Sequence, residues 1–165
     1  MKVSGIPAAA LAVSITLAAV PFGSYATDVS KGEHSTQNLA QAKRNKQLVL
    51  DAYQGLFGDH DLSVADKYWA KDYIQHNPYM SDGRDSVKEF VQKMGMQSWP
   101  KFKVNFLRVG ADGDLVFLQT VQPKTDKSAE MVIVDIFRVE KDMIAEHWDT
   151  MQAVPADATN KRLMY

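Results

Sequence analysis

AEMVIVDIFRVEKDMIAEHWDTMQ, residues 129–152, is the stretch that decides the fold. Ala129, Met131, Ile133, Phe137 and Val139 fall on alternate places, the period of an extended chain with one face buried. Glu140, Lys141 and Asp142 make a tight polar reversal, and Met143 to Met151 returns as a second strand. The stretch therefore predicts a β-hairpin, but with polar groups where packing would place apolar ones. Asp135 stands in the middle of the apolar face, and Glu146, His147, Trp148 and Asp149 fill four consecutive places on the returning strand.

A buried, unpaired carboxylate costs on the order of several kcal/mol, so Asp135 needs a partner, a proton or a wet cavity. A salt bridge to Arg138 or Arg108 is the structural option. A carboxylate lining a pocket is the functional one, and the other polar groups nearby favour it. The hairpin register decides which of them converge. With residues 140 to 142 outside the ladder, Asp135 lies opposite His147, and Asp149 lies opposite Ile133 on the same face. With a two-residue loop, Asp135 opposes Trp148 and shares its face with Glu146, while His147 and Asp149 turn away. Either arrangement sets a carboxylate beside a ring on a sheet face, which moves a pKa toward working range.

Upstream, Leu115 to Gln122 and Phe102 to Phe106 also alternate and predict strands, separated by the turn Gly110 to Asp114 and followed by a polar connection, Pro123 to Ser128. Before Pro100 the period is helical. Ala42, Val49, Tyr53, Leu56 and Phe57 predict a helix from Asn38 to Gly58. Ser63 and Asp66 resemble a capping box opening a short helix with Val64, Ala65, Tyr68 and Trp69 on its apolar face. Tyr73 to His76 is extended, with His76 sharing the parity of Ile74 as an inward-looking candidate, and Asn77-Pro78 stops the run. Asp82 is the expected cap of a third helix carrying Val87, Phe90, Val91 and Met94, closed by Gly95. His60, in a polar turn, is expected in solvent. Helices first and strands after describe an α+β domain with helices over one face of an antiparallel sheet.

The first 26 residues read as a secretory signal peptide: Lys2, an apolar run from Ala8 to Val20, and Ser24-Tyr25-Ala26 as a small-x-small cleavage site. Cleavage leaves 139 residues carrying 18 basic and 20 acidic side chains, enough chain for one domain. Residues 27–37 are expected as a flexible lead-in, 38–152 as the domain and 153–165 as a weakly structured tail. With no basic block, nucleic acid is not an expected partner. No further apolar run reaches the roughly 20 residues of a membrane span, so no stable insertion is expected after cleavage. The protein has no cysteine, which removes disulfide and thiolate chemistry. His76 and His147 with Asp135 could form a facial triad, but the histidines are about seventy residues apart and no HExxH or CxxC spacing is present, so no metal is expected. No GxSxG, P-loop or GxGxxG occurs either.

YIQHNPYMSDGRDSVKEFV (73–91) followed by VDIFRVEKDMIAEHWDTMQ (134–152) resembles the SnoaL-like branch of the NTF2-like superfamily, the polyketide cyclase type. The resemblance implies a cone, in which a curved sheet is wrapped by helices around a deep apolar pocket, and a homodimer formed through the sheet. It also implies ring closure by aldol addition without metal or organic cofactor. The family pattern carries over to Asp149 and Asp135 as an acid/base pair and to His147 and His76 as recurrent polar positions. The expectation is an exported, periplasmic or secreted, cofactor-free cyclase, isomerase or lyase acting on a small apolar carbonyl compound. The alternative is an exported module that binds a small ligand without chemistry.

Overall fold

The computed structural model describes residues 34–124 and 129–165. The expected signal peptide, most of the expected lead-in and most of the polar connection lie outside them. Helix α1 (His34–Tyr53) starts four residues before the apolar period does. Periodicity marks only the turns packed against the sheet, and Leu39 in the first turns is 70% exposed. The helix then widens into a π-turn, Gln54–Gly58, that ends at an unusually close approach. Phe102 donates its backbone N–H to the Gly58 carbonyl at 3.0 Å. A Cβ on Gly58 would stand 2.6 Å from the Phe102 carbonyl oxygen, so only glycine fits.

Helix α2 (Ser63–Tyr68) and strand β1 (Trp69–Gln75) follow, so Trp69 opens a strand rather than closing a helix. The expected capping box is absent. Asp61 Oδ1 accepts from the Ser63 backbone N–H at 2.9 Å and from its hydroxyl at 2.7 Å, while Asp66 pairs with Lys88. Helix α3 (Arg84–Lys93) is capped by Gly83 at φ 90°, not by Asp82. Asp82 instead accepts from the Gln75 backbone N–H at 2.9 Å and so ties this loop to the end of β1.

Strands β2 (Phe106–Asp112), β3 (Leu115–Gln122), β4 (Met131–Glu140) and β5 (Met143–Ala153) form an antiparallel meander, in which Gly110 to Asp112, expected in a turn, pair with β3 as the end of β2. The sheet order is β1-β5-β4-β3-β2, and β1 pairs with β5 in parallel, so the sheet is mixed and the hairpin strand β5 is internal. Residues 101–105 are not a strand. Phe102 and Val104 line the cavity, although Phe102 is itself 39% exposed, and Lys101 and Lys103 are exposed; the Val104 N–H is held by Gln54 Oε1 at 3.0 Å. The core lies between the helices and one sheet face, centred on Val49, Leu56, Trp69, Val91, Leu118 and Ile144, all at most 1% exposed. Among the described residues no helix is long and apolar enough to cross a membrane.

Candidate active site

The hairpin adopts neither expected register throughout. Its loop is the two-residue kind, Lys141 and Asp142, both at positive φ, and Glu140 faces Met143 while Val139 faces Ile144. Ala145 is then skipped in a bulge, so Arg138 faces Glu146, Phe137 faces His147 and Asp135 faces Asp149. The bulge restores the parity that the tight loop would have lost. Asp135, His147 and Asp149 consequently share the inner face, and Asp135 reaches His147 diagonally across the ladder.

His147 Nε2 lies 3.0 Å from Asp135 Oδ1, with the two side chains 9% and 6% exposed. The imidazole stacks on Phe137, ring centroids 4.6 Å apart. Neither Arg138 nor Arg108 reaches Asp135: Arg138 bonds Glu146 and Glu140, and Arg108 bonds Gln119. Burial pushes the Asp135 carboxyl above the ordinary aspartate range; the hydrogen bond and charge of His147 pull it down, and the nearby Asp149 pushes it up again. Its other oxygen, Oδ2, is buried without a hydrogen-bond partner. The Tyr53 hydroxyl, 3.4 Å from Thr120 Oγ1, is likewise pushed well above its ordinary pKa, first by burial and then by Asp135.

Two further polar side chains, Gln75 and Asn77, complete the cluster and were not singled out from the sequence. Gln75 Oε1 lies 3.0 Å from His147 Nδ1, and Asn77 donates from Nδ2 to both Asp149 oxygens at 3.0 and 2.7 Å. Parity would have found them. Tyr73, Gln75 and Asn77 face inward because Tyr73 is 2% exposed, whereas Ile74 is 42% exposed and was the wrong guide.

For the same reason His76 is not brought into the cluster. It lies on the outer face, stacked on Trp148 at 4.8 Å and bonded to Glu146 Oε1 at 2.9 Å. His60 is not solvated as expected. Its ring packs edge-on against Trp99, and Nε2 is buried without a partner.

The three inner groups line a cavity of about 120 Å³ between the helices and the sheet. Its wall is mostly apolar and includes Met80, Met94, Met96 and Met151, flexible side chains that adapt to ligands of irregular shape. Asp135, His147 and Asp149 offer ligand atoms within 4.8 Å of one another and are, among the described residues, the one group able to gather around a metal ion. Within the protein Asp149 accepts from Asn77 and His147 contacts Gln75 and Asp135, while Asp135 Oδ2 has no partner. The arrangement is suited to holding and moving protons inside a water-poor pocket.

Among solved structures, a candidate ketosteroid isomerase from Kribbella flavida is 15% identical with a TM-score of 0.57, over 73% of this chain and 86% of its own. TsrD from Streptomyces laurentii is 17% identical with a TM-score of 0.55, over 66% and 88%. An LEH-like epoxide hydrolase from M. tuberculosis is 19% identical with a TM-score of 0.54, over 67% and 84%. At such identities the likeness is one of fold, and no curated protein matches the chain. A family model described as a SnoaL-like domain matches residues 49–147, which run from the last turns of α1 to the imidazole bonded to Asp135. Together with the cone of helices over an inward-facing sheet, this match places the chain in the SnoaL-like family of the NTF2-like superfamily.

Proposed function

We propose that the protein is a cofactor-independent acid/base enzyme of the cyclase, isomerase or lyase type, acting on a small, largely apolar carbonyl compound. The observation that carries this reading is the buried Asp135–His147 pair facing Asp149 on the wall of an apolar cavity. Both Asp149 oxygens accept from Asn77, so neither directs a proton there, and Asp149 is the base that takes a proton from the carbon next to the carbonyl. The Asp135–His147 pair holds, between Nε2 and Oδ1, the proton that passes to the carbonyl oxygen. The carbon-bound proton thus ends on Asp149 and the pair gives up one, so the inventory is conserved and the product of the step is an enol. His76, on the outer face, takes no part.

The reading is tested by following hydrogen–deuterium exchange next to the carbonyl in a panel of small apolar ketones in D₂O. Exchange is expected with wild type and lost, by roughly 100-fold or more, in Asp149→Asn. Equal exchange in the variant overturns the assignment of the base. Binding of the ketones without any exchange by wild type favours the ligand-binding alternative.

Two assembly features belong to the same proposal. Export to the periplasm or medium is supported by the charge, apolar run and cleavage pattern of the first 26 residues. A homodimer through the outer sheet face is supported by Ile74, Phe117 and Val134, which are 42%, 38% and 43% exposed there. Cell fractionation and sedimentation check them in turn.

A further inference from the structure

Every polar position of the Gln75 side-chain amide is occupied. Its Oε1 accepts from the Asn77 backbone N–H at 2.9 Å and faces His147 Nδ1 at 3.0 Å, while its Nε2 donates to the Tyr73 hydroxyl at 3.0 Å and to Met80 Sδ at 3.4 Å. The Asn77 contact settles the orientation of the amide, because a backbone N–H cannot donate to an NH₂ group. An oxygen therefore faces His147, and Nδ1 must carry the hydrogen. The far nitrogen, Nε2, is left to Asp135 Oδ1, so a single proton lies between imidazole and carboxyl, whichever of them owns it.

Asn77 is oriented by the same residue. Gln75 holds its backbone, Asn77 Oδ1 accepts from the Tyr79 N–H at 2.9 Å, and its Nδ2 is thereby aimed at Asp149. Gln75 in turn is anchored by Asp82 through its own N–H and by pairing alongside His147 in the parallel β1–β5 ladder.

We propose that Gln75 is the positioning residue of the site: it locks His147 as the Nδ1–H tautomer and, through Asn77, fixes Asp149 against the same cluster. Its purpose builds on the acid/base role proposed above. The tautomer itself is readable in ligand-free protein, where that role is not tested.

Long-range ¹H–¹⁵N correlation of the imidazoles in the labelled protein reads it directly. Wild type is expected to show His147 protonated at Nδ1. Gln75→Met, close in size but with no strong acceptor, is expected to show loss of that single tautomer and a shift in the pH profile of ketone exchange. Gln75→Glu keeps an acceptor toward both N–H groups and is expected to retain Nδ1–H. A bare Nδ1 in wild type, an unchanged tautomer in Gln75→Met, or its loss in Gln75→Glu each overturns the proposal. If Gln75→Met does not fold, wild type and Gln75→Glu still decide. Absence of exchange in wild type with the tautomer intact would reject the enzymatic reading and leave the lock standing.

Discussion

Strand β5 contributes one member to a histidine–carboxylate pair on each of its faces, and the two pairs have nearly the same geometry and opposite consequences. Inside, His147 Nε2 meets Asp135 Oδ1 at 3.0 Å; outside, His76 Nε2 meets Glu146 Oε1 at 2.9 Å. Inside, the side chains are 9% and 6% exposed; outside they are 44% and 17% exposed, with the Arg138 guanidinium also 2.7 Å from Glu146. The inner carboxyl is pushed up by burial, and the outer one is pulled down by its hydrogen bonds to His76 and Arg138. A hydrogen bond to imidazole therefore does not fix the sense of the shift. Desolvation decides it, and desolvation is what the cavity supplies.

The largest expected difference comes from cutting each pair. His147→Ala leaves Asp135 buried without its partner, and removing one member of a buried pair typically costs about 3–5 kcal/mol. That loss is expected at pH 8 by denaturant titration and should shrink toward pH 4, where Asp135 can take up a proton. A loss under 1 kcal/mol at pH 8 would show the inner pair to be no better shielded than the outer one.

Asp135→Asn sharpens the comparison through its sign. The folded pKa of Asp135 lies above the unfolded value of about 3.9, so its contribution to stability is fully present below that pH and lost as pH rises through the folded pKa. The amide cannot ionise. The stability of the variant relative to wild type is therefore expected to improve with rising pH, and parallel stability–pH curves would contradict burial as the cause.

Much of this contrast was legible in the residues. The alternation around Asp135 fixed its inward face, and Ile133, Phe137 and Val139 behave as that alternation requires. The register did not follow, because a bulge at Ala145 leaves no mark in a sequence that reads smoothly on either side. His76 was misplaced for a related reason. It follows a strand of only seven residues, and parity taken from Ile74 inverted it, while the parallel pairing that aligns Gln75 with His147 joins segments about seventy residues apart. Asp82 and Ser63 illustrate a third limit. Both are good cap residues, but in the folded chain Asp82 is taken up by the Gln75 N–H and Ser63 by Asp61.

The smallest expected effect lies on the outer face and bears on what covers it. Glu146→Gln removes a carboxylate whose pKa is depressed, so its contribution is present above the unfolded value of about 4.3 and lost as pH falls through the folded pKa. For a solvent-washed pair the cost at pH 7 is roughly 0–1 kcal/mol and declines with added salt. In the proposed sheet-to-sheet dimer, His76, Trp148 and Glu146 would leave water, and the outer pair would come to resemble the inner one. The cost of Glu146→Gln would then exceed that range and rise with protein concentration, because association and stability are linked by mass action. A cost that stays small and independent of concentration places the outer pair in water and argues against a dimer through this face.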